Sequence, residues 1–142
     1  MKVASILAIK GDEVVTVGPS ATLKEAADIL TAEKIGAVVV ADGHEALGIL
    51  SERDIVRAVS RGGGGALNAP VSRFMTEKVI TCSSDDTTDQ LMDIMTGGRF
   101  RHVPVVEDGK LRGIISIGDV VKHRIAETEF EAEALRLYIA SG

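Results

Sequence analysis

Short apolar runs alternate along this chain with stripes of apolar residues at helical spacing. The runs 14–17 and 37–41 are rich in valine, as is typical of buried strands. Between them, Leu23, Ala26 and Leu30 recur at the spacing of one helix face. This stripe follows a capping-box pattern at residues 22–25, a threonine with a glutamate three positions later. The pattern therefore predicts a strand, a helix and a second strand.

The same pattern returns 65 residues further on, without a gap. Residues 79–82 match 14–17, residues 102–106 match 37–41, and residues 87–90 repeat the capping box with Thr87 and Gln90. The segment 48–54, which reads Gly-Ile-Leu-Ser-Glu-Arg-Asp, matches 113–119, which reads Gly-Ile-Ile-Ser-Ile-Gly-Asp. A fixed offset over this length indicates a duplicated structural unit.

Each copy predicts the order β-α-β-β-α. A third strand, at 47–50 or 111–115, follows a short glycine-bearing loop of hairpin length. A final helix then begins at Ser51 or Ser116. We divide the chain into residues 1–65, which include a short N-terminal helix, and residues 66–142. The glycine run at 62–65 predicts a flexible linker, and residues 71–75 predict a counterpart of the N-terminal helix. Because neither unit is large enough for a comfortable core of its own, the two are expected to pack together.

Composition narrows the possible functions. The chain has 142 residues and a net charge of −5, which disfavours nucleic acid as the main partner. Its longest apolar runs are far shorter than the ~20 residues of a membrane span, so we expect no membrane association. One cysteine, Cys82, can make no internal disulfide, in agreement with a cytoplasmic location. Aromatic residues are only 3% of the chain, so an aromatic ring bound as ligand would be held mainly by aliphatic side chains and backbone.

No arrangement of residues predicts catalysis or a metal site. His44 lies in a hairpin loop and His123 near a helix end, without the spacing of a catalytic triad or of metal ligands. The glycine run lacks the Lys-Ser/Thr of a phosphate-binding P-loop. We read Cys82 as a small core residue and expect a protein that is not an enzyme.

The repeated elements and motifs resemble the CBS-domain (Bateman) pair over nearly the whole chain. The motifs are the valine-rich second strand, the Gly-Ile-hydrophobic-Ser-x-x-Asp segment and the opening strand that ends in threonine, each present twice. The resemblance implies a mixed α+β fold, in which two β-α-β-β-α repeats pack with pseudo-two-fold symmetry around two clefts. It also implies that the clefts hold adenine nucleotides or related adenosyl ligands, and that the protein forms a homodimer.

The Ser-x-x-Asp segments are the strongest candidates for ligand binding. Ser51 with Asp54, and Ser116 with Asp119, lie at strand-to-helix junctions, where free amides and the helix dipole favour a phosphate. A carboxylate three residues later suits the ribose hydroxyls, as in other nucleotide folds. The alternative is that each pair only caps its helix. We favour a ligand role for the two aspartates, since Glu or Gln would serve a capping box better, and the serine can have both roles.

The remaining candidates would hold the base and the phosphates. The flat ring of the base could form hydrogen bonds with backbone groups at the edge of the second strand, at Gly36, Ala37 and Val38 or at Val103 and Pro104. For the valines, the alternative is that they are ordinary core residues. A cationic cluster at Arg99, Arg101 and His102 suits phosphate oxygens, with a solvated strand edge as the alternative. The resemblance further implies that Arg53 reaches phosphates and that two threonines line the pocket, Thr16 and Thr81.

These observations lead to the hypothesis of a stand-alone regulatory sensor. Its ligand would be AMP-like, with NAD(H), ATP or S-adenosylmethionine as further possibilities. The alternative is an interaction module with empty clefts, whose acidic C-terminal helix, with Leu135, Tyr138 and Ile139, docks a partner protein; an enzyme that consumes the nucleotide ranks third. Helical amphipathicity alone leaves open whether that helix packs on a partner or back on its own chain.

Overall fold

The computed structural model describes residues 1–11, 14–98 and 100–141. The first repeat forms the predicted order of elements after an N-terminal helix. Its strand β2 lies between β1, which runs parallel to it, and β3, which runs antiparallel. The elements are α1 (Val3–Lys10), β1 (Thr16–Val17), α2 (Leu23–Glu33), β2 (Ala37–Asp42), β3 (Glu45–Ser51) and α3 (Glu52–Gly62).

The second repeat reproduces this arrangement with the same register. His102 pairs with Ser116 just as Ala37 pairs with Ser51, 65 positions earlier. The predicted opening strand at 79–82 was too long, since only Cys82 pairs, in a parallel bridge to Val105. The elements are α4 (Thr88–Gly98), β4 (His102–Glu107), β5 (Lys110–Ser116) and α5 (Ile117–Ser141).

Local signals explain the boundaries of several elements. Thr22 Oγ1 accepts a hydrogen bond from the backbone N–H of Glu25 and caps α2. Thr87 and Gln90 exchange two side-chain-to-backbone hydrogen bonds, which confirms the predicted capping box at α4. Asp108 and Gly109, both at positive φ, form the two-residue turn between β4 and β5, and this conformation suits a right-handed twisted hairpin.

Each repeat completes its core with the segment that precedes the other repeat. Val3 and Ile6 of α1 are fully buried within the core of the second repeat, so α1 packs across the pair. Val71 is fully buried in the core of the first repeat, with Phe74 and Met75 packed against it. Residues 71–75 form a 3-10 helix, Val71–Arg73, rather than the predicted α-helix. The two small repeats therefore bury a sufficient core only together.

The glycine run is not the flexible linker that its composition predicts. Helix α3 continues to Gly62, Gly63 ends it at a φ of 70°, and a 3-10 helix follows over Gly64–Asn68. Ala66 and Leu67 pack against the core of the first repeat, and this contact orders the segment. The division placed between residues 65 and 66 falls inside this 3-10 helix and stays a prediction.

Helix α5 extends far beyond its own repeat. Val120 and His123 are buried, but residues 128–141 are all exposed. The C-terminal half of α5 therefore does not pack back on its own chain. Within residues 1–11, 14–98 and 100–141, no helix combines the length and apolar composition that a membrane crossing requires.

Candidate functional site

The segment Ser51 to Asp54 forms a capping box at the start of α3. Asp54 Oδ2 accepts hydrogen bonds from the backbone N–H of Ser51 at 2.8 Å and from its hydroxyl at 3.1 Å. The backbone N–H of Asp54 donates in return to Ser51 Oγ at 3.3 Å. Asp54 therefore has the capping role that was considered as the alternative for this pair. The capping role engages Oδ2. Among the residues that the structure describes, Oδ1 has Arg57 Nη1 as its salt-bridge partner at 3.6 Å and accepts no hydrogen bond, so this oxygen can accept hydrogen bonds from a ligand.

The second repeat has the same capping box, but its aspartate is also held by a lysine. Asp119 Oδ2 accepts from the backbone N–H and the hydroxyl of Ser116 at 2.9 and 3.0 Å. Lys10, at the end of α1, donates from Nζ to the same oxygen at 2.7 Å and to the carbonyl of Ile114 at 2.9 Å. The two aspartates thus have the same local geometry and different surroundings.

One cleft of about 210 Å³ combines residues from both repeats and from the segment between them. It includes six of the predicted residues: Gly36, Ser51, Arg53, Asp54, Arg101 and His102. Its other lining residues are Ile49, Glu52, Thr76, Lys78, Val79, Ile80 and Phe100. The first Ser-x-x-Asp segment and the Arg-His pair of the second repeat therefore share one site, which we call the first cleft.

The first cleft is cationic in an otherwise acidic protein. Its lining carries three basic side chains, Arg53, Lys78 and Arg101, against two carboxylates, Glu52 and Asp54. The amino end of α3 opens into the same space, and its dipole adds to the positive potential. Together these features favour an anion beside a carboxylate that can accept hydrogen bonds.

His102 lies where the two repeats meet and is uncharged near neutral pH. Burial lowers the pKa of its imidazole, as do the nearby charges of Lys10 and Arg101, against the opposing effect of Asp119 and Glu52. The Cε1 atom of His102 lies 3.8 Å from the position that a Cβ atom on Gly36 would occupy. The neutral ring can donate one N–H to a ligand and can gain a proton if an anion binds beside it.

Asp119 remains ionised to lower pH than an ordinary aspartate. Burial on its own would raise the pKa of this carboxyl, but the hydrogen bonds from Lys10 and Ser116 outweigh burial and lower it. The lysine ammonium stabilises the charged carboxylate at close range. The Lys10–Asp119 contact is therefore an ion pair throughout the neutral range.

The other predicted residues lie outside the lining of the first cleft. Ala37, Val38 and Val103 are buried in the hydrophobic core, so only their backbone could face a ligand. The backbone carbonyl of Pro104 accepts a hydrogen bond from the backbone N–H of Cys82 at 2.9 Å. The N–H that proline lacks would point to this same side of β4, where no ladder bond needs it. Thr16 and Thr81 are exposed near the ends of the opening strands. Arg99 lies outside the described residues. The ligand roles of these residues stay predictions.

Sequence reasoning missed the segment that crosses from one repeat to the other. Thr76 exchanges two backbone hydrogen bonds with Ile49, at 3.1 and 2.9 Å, and so brings Lys78 to Ile80 beside β3. Phe100 also lines the cleft and supplies an aromatic ring that the low aromatic content did not lead us to expect. A lysine directly before the opening strand of the second repeat was the signal that could have indicated a phosphate contact.

Cys82 is a core residue, as predicted. Only 5% of its surface is exposed. Burial raises the pKa of its thiol to about 12, with a further contribution from Asp86. A thiol with this pKa is almost entirely protonated at neutral pH, so Cys82 has no nucleophilic character there.

Comparison with known proteins identifies the family. The CBS-domain family model matches twice, at residues 6–61 and 71–126, and the chain belongs to this family. The crystal structure of a CBS-domain containing protein from Agrobacterium tumefaciens is 58% identical, with a TM-score of 0.84, and the match covers 87% of this chain and 99% of that one. The fold is therefore that of a CBS-domain pair, as the repeat predicted.

Two further solved structures contain ligands. A CBS domain protein from Pyrobaculum aerophilum, complexed with AMP, is 28% identical with a TM-score of 0.75, over 84% of this chain and 89% of that one. The CBS domain pair of protein MJ0100, in complex with 5′-methylthioadenosine and S-adenosyl-L-methionine, is 25% identical with a TM-score of 0.80, over 89% and 98%. Structural neighbours of this chain thus bind adenosyl ligands. Some relatives are longer than this chain. A mitochondrial CBS domain-containing protein of Arabidopsis thaliana is 35% identical, and the match covers 85% of this chain but 61% of that protein.

Proposed function

We propose that the protein is a non-catalytic regulatory module that binds one adenine nucleotide of the AMP class in the first cleft. The observation that carries the proposal is the meeting of Asp54, with a free carboxylate oxygen, and the basic side chains of Arg53, Lys78 and Arg101 in one cleft between the repeats. The binding of AMP by one structural neighbour supports the same ligand class.

The parts of a nucleotide match the chemistry of the cleft. Ribose hydroxyls can donate to Asp54 Oδ1, while Oδ2 stays bound to Ser51. The phosphate would lie toward Arg101 and Lys78, because guanidinium and ammonium groups donate to anionic oxygens. Phe100, Val79 and Ile80 offer apolar and aromatic surface to the base.

The first cleft is the better candidate of the two. Arg53 in the first repeat is replaced by Gly118 in the second, which removes one cation. Lys10 already bonds Asp119, the counterpart of Asp54. A nucleotide would have to displace this ammonium before its ribose could reach the second aspartate. We therefore expect one tight site in each chain and a much weaker second one.

Titration of the purified protein by calorimetry tests the proposal. AMP, ATP, NADH and S-adenosylmethionine are compared, and AMP is expected to bind with a stoichiometry near one per chain. S-adenosylmethionine, which lacks the phosphate, is expected to bind more weakly if Arg101 and Lys78 recognise anionic oxygens. A folded protein that binds none of the four refutes the sensor and favours an interaction module with empty clefts.

Matched substitutions in the two repeats locate the site. Asp54→Asn keeps the shape of the side chain but loses its charge, and hydrogen bonds to a charged group contribute about 1.5–3 kcal/mol. We expect AMP affinity to fall at least tenfold. Asp119→Asn is the control and should leave the tight site unchanged. Equal losses in the two variants would contradict the assignment to the first cleft.

A further inference from the structure

Helix α5 carries a stripe of mainly apolar residues that its own chain leaves exposed, and the stripe runs from Val121 into the C-terminal half of the helix. Six residues at alternating spacings of four and three form this outer stripe: Val121, Ile125, Thr128, Ala132, Leu135 and Ile139. Four of them are large and exposed, with fractions from 43% at Val121 to 68% at Ile139. Such spacing places all six on one side of a helix, as positions a and d of a coiled coil.

The outer stripe faces away from the body of the protein. Val120 and His123 are the buried residues of α5 and define the side that packs on the second repeat. At 3.6 residues per turn, that side lies roughly 130° around the helix from the outer stripe. A second helix can therefore lie along the stripe without meeting the two repeats. The stripe is also about 27 Å long at 1.5 Å per residue. The part of α5 that no other element covers, residues 128–141, is short enough to be marginal as a helix in water without a partner.

The charges beside the stripe specify which helix fits. Arg124 and Glu131 precede the a positions, and Glu129 and Arg136 follow the d positions. In a parallel pair of α5 helices, Arg124 faces Glu129 of the second copy and Glu131 faces Arg136 of the second copy. Both contacts, and their symmetry mates, join opposite charges.

The antiparallel arrangement fails the same test. With the a positions of one helix opposite the d positions of the other, so that Ala132 faces Thr128 of the second copy, Glu129 would face its own counterpart, as would Glu131, and Lys122 would face Arg136. Every one of these contacts joins like charges. Within one chain, Arg136 bonds the neighbouring Glu133 at 3.3 Å and is 75% exposed. Arg124 pairs with Asp89 and is 48% exposed. Both arginines can therefore reach a second helix.

We propose that α5 of one chain pairs in parallel with α5 of a second copy through the outer stripe, forming a short coiled coil that holds the two modules side by side. Pairing buries the exposed aliphatic residues of the stripe, Val121, Ile125, Leu135 and Ile139, and the flanking charges select the parallel orientation over the antiparallel one. This interface is independent of nucleotide binding, so its failure would leave the proposed function untouched.

Sedimentation equilibrium of the full chain measures the association. The protein is expected to be a dimer, and Leu135→Asp, which places a charge in the stripe, is expected to make it a monomer. Leu135 is 59% exposed in the single chain, so this change leaves the fold intact, as circular dichroism would verify. A monomeric protein, or a dimer that Leu135→Asp does not weaken, overturns the proposal.

Charge exchange separates this interface from any other. Glu131→Arg turns two symmetry-related attractions into repulsions and should weaken the dimer about tenfold. Glu45→Arg makes the same change of charge at the exposed start of β3, outside α5, and should have little effect. The double variant Glu131→Arg with Arg136→Glu restores opposite charges and should recover most of the affinity. Equal effects of the two Glu→Arg changes would contradict the proposed register.

Disulfide formation reports the orientation. Ile139→Cys places a thiol near the end of the stripe, and in a parallel pair the two thiols face each other and cross-link under mild oxidation. In an antiparallel pair they lie far apart, and no cross-linked dimer forms. The native Cys82 is buried and does not compete. The absence of the cross-link in a dimeric protein would exclude the parallel arrangement.

Discussion

The ion pair between Lys10 and Asp119 occupies the aspartate of the second Ser-x-x-Asp segment, and its removal should make that aspartate available to a nucleotide. Lys10→Met keeps the length of the side chain and removes the ammonium that bonds Asp119 Oδ2 at 2.7 Å and the Ile114 carbonyl at 2.9 Å. The carboxylate of Asp119 then keeps its bonds to Ser116. It presents the same geometry as Asp54 in the first cleft.

The size of the effect follows from the exposure of the pair. A hydrogen bond between charged groups contributes about 1.5–3 kcal/mol when buried. The side chains of Lys10 and Asp119 are 36% and 23% exposed, and solvent screening at such exposure reduces the contribution to about 1 kcal/mol. A ligand that no longer has to break this contact gains the same amount, which is about a fivefold increase in affinity at the second site.

Calorimetric titration with AMP measures the change directly. The wild-type protein should bind one AMP tightly, and Lys10→Met should show a second site about fivefold stronger than before, with the first site unchanged. Lys110→Met, a change of the same type in an exposed turn, is the matched control. A weaker second site in Lys10→Met would refute the reasoning, because it would mean that Lys10 holds the ligand instead of excluding it.

Two further predictions concern His102 and a pair of equivalent glycines. Burial lowers the pKa of His102 in the free protein, and a phosphate bound beside the ring should raise that pKa. AMP binding should therefore take up protons and strengthen as the pH falls from about 7 to 6. Calorimetry in buffers of different ionisation enthalpy measures the proton uptake, and His102→Gln should abolish it. Gly48→Ala should destabilise the fold by about 1–3 kcal/mol, since the added Cβ would lie 2.7 Å from the backbone carbonyl oxygen of Thr76. Gly113→Ala should destabilise the fold less, because its Cβ would meet the movable side chain of Leu7 instead of backbone. Equal shifts of the thermal unfolding midpoint in the two variants would contradict this explanation.

Many residues of the candidate site could be predicted from the sequence alone. The duplicated Ser-x-x-Asp segments lie at helix starts because the capping bonds of Ser51 with Asp54 are local, spanning three residues. Arg101 and His102 were identified as a cationic cluster from their positions before β4. Lys78 and Phe100 were missed. The position of Lys78 directly before the opening strand was a weak signal of a phosphate contact, whereas a single aromatic ring has no local pattern that distinguishes a site from an ordinary surface.

The sequence by itself determined the repeat, the order of elements, the helix caps and the chemistry of the paired aspartates, because all of these depend on residues close together in the chain or on a fixed offset. Only the tertiary structure decided that the two clefts differ. Lys10 reaches Asp119 across more than a hundred residues, and α1 lies in the core of the second repeat. The tertiary structure also decided the role of α5. The sequence shows which residues form its outer stripe, but not whether the stripe is exposed. Its exposure depends on which side of the helix the second repeat covers, and that is settled by packing between distant segments.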